Sequence, residues 1–148
     1  MNKILSKWLI GDVVQKYRTE ASYPLVIEKL GEVVKEHSFA VLTTHDLKET
    51  YVKKDLKLAP DFEYRIVQIC NAPKSHKALN ELSFDMGVMM PKNIIVAREN
   101  GETTIRFMKM KPWMTSMMFP DLDIVPLSKK VMQTMETIVK ETISRSEK

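Results

Sequence analysis

Cys70 is the only cysteine in this 148-residue chain, and it lies within "YRIVQICNAPKSHKAL", residues 64–79. An apolar, β-rich run ends at the thiol, and Asn71, Ala72 and Pro73 then read as a helix start. Free amides and the positive end of a helix dipole favour an anion at such a place. A thiol there can ionise near neutral pH and act as a nucleophile. The same amides can instead hold a ligand's phosphate or carboxylate. Lys74 and His76, early in the helix, add positive character. The competing reading is a small buried hydrophobe, since free cysteine is among the most buried residue types. Cys70 is thus the candidate catalytic residue, with Asn71 and His76 as ligand-binding neighbours.

Methionine is the second signal. Eleven occur, and eight of them fall between Met86 and Met118. Thioethers are soft ligands that suit copper(I), but no Cys-x-x-Cys and no histidine pair at helical metal spacing accompanies them. The pattern reads better as an adaptable apolar pocket. Met89, Met90 and Pro91 are its expected wall, with Trp113 and Phe119 on a loop above it. No metal and no cofactor is expected. His37 and His45 lack a telling partner, and Asp121 and Asp123 sit in a proline-rich stretch where carboxylates are usually solvated. No glycine-rich phosphate loop, Gly-x-Ser-x-Gly elbow or His-Glu-x-x-His is present.

Composition bounds the class. A hydrophobic fraction of 44% and a charged fraction of 28% are those of a globular chain that can bury a core. One cysteine forms no internal disulfide, which fits a reducing cytoplasm. The opening segment has no apolar run longer than "WLI", and no stretch reaches membrane-spanning length. The expected setting is cytoplasmic, with no membrane partner. The net charge of +4 is spread over interleaved acids and bases, as in "METIVKETISRSEK". With no basic cluster, specific nucleic-acid binding is not expected.

The elements that must position these residues follow from periodicity. Val13 to Thr19 reads as a strand, and Ser22 caps a helix with Leu25, Ile27, Leu30, Val33 and Val34 on one side. "FAVLTT" reads as a buried core strand, "HDLKETYVKKDL" as a short surface helix, and "FEYRIVQIC" as the next strand. From Asn71 a helix is expected through Leu79, Leu82 and Met86, ended by a left-handed Gly87. Two strands flank the Asn100-Gly101 hairpin signal. "KPWMTSMMFPDLDIVP" reads as a loop or lid, and residues 127–144 as an amphipathic helix. The order β-α-β-(α)-β-α-β-β-α implies one compact α+β domain over 1–148. Its core spans 13–144, with an N-terminal extension of 1–12. A mixed or antiparallel sheet should carry helices mainly on one face.

The stretch "QICNAPKSHKALNELSFDMGVMMPKNIIVARENGETTIRF" resembles the bacterial and archaeal family called domain of unknown function 302. Its most specific residues are Cys70-Asn71 together with Gly87 and Pro91. The upstream "YPLVIEKLGEVVKEHSFAVLTTHDLKETYVKKDL" is similar too, so that the likeness covers roughly Val13 to Ser144. The resemblance implies a compact α+β fold, a homodimer and a cytosolic setting, and no established reaction. Many members carry a second cysteine after the turn's proline, where this chain has Lys92. That departure argues against two-thiol redox chemistry. The family's proline after Cys-Asn is displaced by Ala72, which shifts the helix start.

Three functions compete on these observations. The first is a small-molecule binding module with its pocket beside Cys70-Asn71 and the methionine-rich loop. The second is a single-cysteine protein in which Cys70 carries sulfur or reacts covalently. The third is a structural or subunit-interaction role with the methionine-rich loop as interface. The first is preferred.

Overall fold

The computed structural model describes residues 2–11 and 13–148, the side chains of Leu9 and Ile10 excepted. Strand alternation sets its framework. β3 (Tyr64–Cys70) buries Val67 and Ile69, β4 (Lys92–Glu99) buries Ile94 and Val96, and β5 (Glu102–Met108) buries Ile105 and Phe107. A period of two places these side chains on one face. β1 (Val14–Thr19) and β2 (Ala40–Asp46) form the edges of a five-stranded sheet in the order β1-β5-β4-β3-β2. Every neighbouring pair is antiparallel. The β4–β5 hairpin turns at Asn100 and Gly101, with φ of 53° and 80°. Two successive positive values are what a type I′ turn requires.

Two long helices cover the apolar face. α2 (Tyr23–Glu36) contributes Val26, Leu30, Val33 and Val34, and α6 (Val125–Ser146) contributes Met132, Met135, Ile138 and Val139. Their apolar positions recur at helical spacing and face the sheet in one cluster. Because α2 joins β1 to β2, the chain crosses the whole sheet between its two edges. Arg145 grips the Glu36 carboxylate at 2.9 and 2.5 Å, tying α6 to α2 at the surface. Tyr23 fixes the start of α2: the Arg65 guanidinium lies 5.7 Å from its ring centre and bonds Asp46 at 3.2 Å. The single compact α+β fold matches expectation.

Several local expectations are corrected. "FAVLTT" is not a core strand: β2 is a solvent-exposed edge, and only Phe39, just before it, is buried. Its β-branched residues satisfy strand propensity without burial, because an edge strand has one neighbour and little cover. The expected helix 71–86 is divided into α4 (Ala72–Lys77), a π-helical turn (Ala78–Leu82) and a 3₁₀ stretch (Phe84–Met89). The break falls at Ser83, extended at φ −167° and ψ 145°, whose hydroxyl accepts from the Asp85 amide. Serine competes for backbone amides in this way. Gly87 lies inside the 3₁₀ stretch and is not among the residues of positive φ. The turn ends instead at Met90, held extended before Pro91, where a proline disfavours helical geometry. The expected lid contains α5 (Pro112–Met118), with its proline in the first turn. α3 (Leu47–Val52) is the expected surface helix. Within the expected extension 1–12, α1 (Lys3–Ile10) forms a helix, and residues 1 and 12 lie outside the described ones. No helix among the described residues is long and apolar enough to cross a membrane.

Two measurements test this framework. Ile138 is fully buried at the α6–sheet contact, so Ile138→Ala should lower unfolding free energy by about 2–5 kcal/mol in urea titration. On the outer face, Lys16 lies 2.8 Å from Glu99 and Arg106 bonds its other oxygen. These hydrogen bonds hold the Glu99 carboxyl down at about 2. A depressed carboxylate stabilises the fold above its unfolded value of about 4.3. That contribution is lost as pH falls through about 2. The urea midpoint should therefore decline across this acid window, and Glu99→Gln should flatten that part of the decline.

Candidate functional site

The main core and a smaller apolar cluster do not meet flush. The smaller cluster is built on Ala78, Met86 and Ile124, with Met90 and Leu127 packed against it. Between the two lies a cavity of about 90 Å³. Phe39, Ile69 and Met132 of the main core form one side, and Ala78, Met86 and Ile124 form the other. On this measure one water needs roughly 10–15 Å³, so the space holds about six to nine water-sized groups. Its walls are overwhelmingly apolar, with a few polar groups converging on them. That is the composition expected of a small-molecule site.

The polar groups come from identifiable elements. Cys70 ends β3 and is half-buried against the cavity. Asn71 is buried and caps α4, its Oδ1 accepting from the Lys74 amide at 3.0 Å. Pro73 carries no N–H, so α4 offers a ligand at most the Ala72 amide from its first three residues. The sequence-based picture of several free amides around the thiol is corrected accordingly. Positive charge is supplied by side chains instead. Lys74 and Lys92 both line the cavity, and burial pushes both amines below the ordinary lysine value. The Lys130 charge depresses Lys74 further. The Thr115 and Ser128 hydroxyls, 3.1 Å apart, share one hydrogen bond at the wall.

Strand register explains Lys92. It pairs with Ile69 across β3 and β4, and partners in an antiparallel ladder share a face. Lys92 therefore lies on the helix-covered side, in line with buried Ile94 and Val96. A cation continues an apolar stripe there. The alternation Lys92-x-Ile94-x-Val96 carried that signal, which is lost when Lys92 is read only as an absent thiol.

Of the other expected residues, Met89, Met90 and Pro91 line the cavity. His76 is exposed and outside it. Trp113 is 44% exposed and also outside it, since α5 presents Thr115 to the cavity and leaves Trp113, Met117 and Met118 towards solvent. The methionine cluster thus divides: only Met86, Met89 and Met90 reach the cavity, joined by Met132 of α6. The α6 wall, including Leu127, Ser128 and Val131, was not expected, because its residues read as ordinary helix packing. Among the described residues, no group of three or more His, Cys, Asp or Glu side chains is placed to hold a metal ion.

Comparison with known proteins places the chain in a family. No curated protein matches it significantly. It is similar to the crystal structure of an uncharacterized conserved DUF302 protein from Bacillus stearothermophilus, with a TM-score of 0.69 and 25% sequence identity. The match covers 90% of this chain and 98% of that one. Residues 15–142 match the family described as "Domain of unknown function DUF302". With most of its length so matched, this chain belongs to the DUF302 family.

Proposed function

We propose that this chain is a small-molecule binding module whose site is the cavity beside the Cys70–Asn71 turn. The observation that supports it most is the cavity itself, about 90 Å³ between two apolar clusters. Protein interiors are otherwise close-packed. The space is partly open to solvent, so water reaches apolar wall that side chains leave uncovered. A ligand that buries its apolar body there would displace that water and take apolar surface out of it. The wall combines flexible thioethers with a few polar groups, which suits an occupant of defined orientation.

A second reading uses the same place. Cys70 is among the residues lining the cavity and is half-buried rather than sealed in the core, which leaves the chain's one cysteine beside an occupant. In that reading Cys70 carries a sulfur atom or bonds its ligand covalently. Its alkylation rate is the discriminating observable: a thiol that resists small alkylating agents at every pH overturns it.

Native mass spectrometry of freshly purified protein tests the binding reading. A co-purified small mass, or stabilisation by a member of a ligand library, is expected. A persulfide would instead add one sulfur atom to the chain. Ser75 lines the cavity, and its hydroxyl bonds only the Ala72 carbonyl of its own helix. Ser75→Trp should fill the space, leave the circular-dichroism spectrum unchanged and abolish ligand retention. Retention undiminished in that variant would place the ligand elsewhere.

A further inference from the structure

We propose that the cavity takes a small monocarboxylic acid with an apolar body, its carboxylate facing Lys74 and Lys92. This inference rests on the cavity being a binding site and names the class of its occupant. The lining contains two lysines and no aspartate or glutamate. Elsewhere, the half-buried basic side chains Lys16, Arg65, Arg106 and Lys109 each have a carboxylate within bonding distance, Arg98 being an exception. Among the described residues, no such partner is recorded for Lys74 or Lys92. Placing an ammonium against apolar walls without an anion is costly, and burial depresses both amines accordingly. A carboxylate entering the cavity supplies the missing countercharge.

The remaining polar groups narrow the choice. Asn71 Oδ1 accepts from the Lys74 amide, and the Thr115 and Ser128 hydroxyls share one hydrogen bond that leaves a single neutral O–H donor, so the lysines are the charged groups of the lining. A cationic ligand meets two like charges. A neutral apolar ligand leaves both ammoniums uncompensated. A phosphate ester is held by several backbone amides or guanidinium forks, with lysine adding a point charge to them. The lining has no arginine, and α4 presents at most one free first-turn amide. The space for about six to nine non-hydrogen groups fits a short acyl chain or a single ring beneath the carboxylate.

Hexanoate and hexan-1-ol are matched probes, because they share a chain length and differ in the charged head. Titration into the full-length protein, followed by NMR shifts of the Met89 and Met90 methyl groups, reads both affinities. Hexanoate should bind the wild type at least about tenfold more tightly than the alcohol, as a charge-assisted contact requires. Lys92→Met should erase that preference while still binding the alcohol, and Lys92→Arg should keep it. Lys74→Met should weaken hexanoate alone. Equal affinity of the wild type for both probes overturns the acid assignment and leaves the binding site standing. A preference that survives Lys92→Met and Lys74→Met together overturns it equally. If neither probe nor any library member binds, the binding reading and this assignment fall together.

Discussion

The constraint on which the rest depends is the apolar face of one antiparallel sheet, which must be taken out of water. Val67, Ile69, Ile94, Val96, Ile105 and Phe107 present a continuous hydrophobic surface, and among the described residues only α2 and α6 are long enough to cover it. Burial at roughly 25 cal/mol per Å² makes that contact the main source of stability. Connectivity follows from it: α2 has to run from one edge strand to the other beneath the sheet. The start of α6 packs into a different cluster. There Ile124 and Leu127 turn to a second cluster built from α4 and the 3₁₀ stretch. The cavity is the seam between these two solutions to one burial problem.

Electrostatics separates the seam from the rest of the molecule. Over the surface and the outer sheet face, cations and carboxylates are matched in pairs, as in Lys16–Glu99–Arg106 and Glu36–Arg145. Exposed pairs contribute little individually. Their relevance is that they leave little uncompensated charge in partly buried places. At the seam the pattern reverses: the lining includes two lysines and Cys70 and no carboxylate. Even Tyr23, whose buried hydroxyl has no hydrogen-bond partner, lies under a guanidinium bonded to Asp46.

Much of the fold was legible because its signals are local. The Asn100-Gly101 turn, the stripe of α2, the apolar spacing of α6 and the cap at Asn71 depend on a few consecutive residues. Expectations failed where a neighbour distant in sequence decides. β-propensity at Val41 and Leu42 is the same in a central or an edge strand, and only sheet order leaves them exposed. Ser83 and Met90 overrode a helical pattern through a hydroxyl–amide bond and a following proline. Trp113 looked like a pocket lid by type, but the turn of α5 gives that place to Thr115.

The sequence by itself determined the α+β class, the family resemblance, the strand-to-helix junction at Cys70–Asn71, and the part of the wall formed by Met89, Met90 and Pro91. Those features are written in period, capping chemistry and near-neighbour motifs. Tertiary structure alone decided that Lys74, Lys92 and the start of α6 share one cavity with Cys70. The pairing of Ile69 with Lys92 turns that ammonium towards the helices. The reach of α6 over the sheet brings Val131 and Met132 to the same space. A sequence records which side chains are available, whereas strand register and helix packing decide which of them face one another.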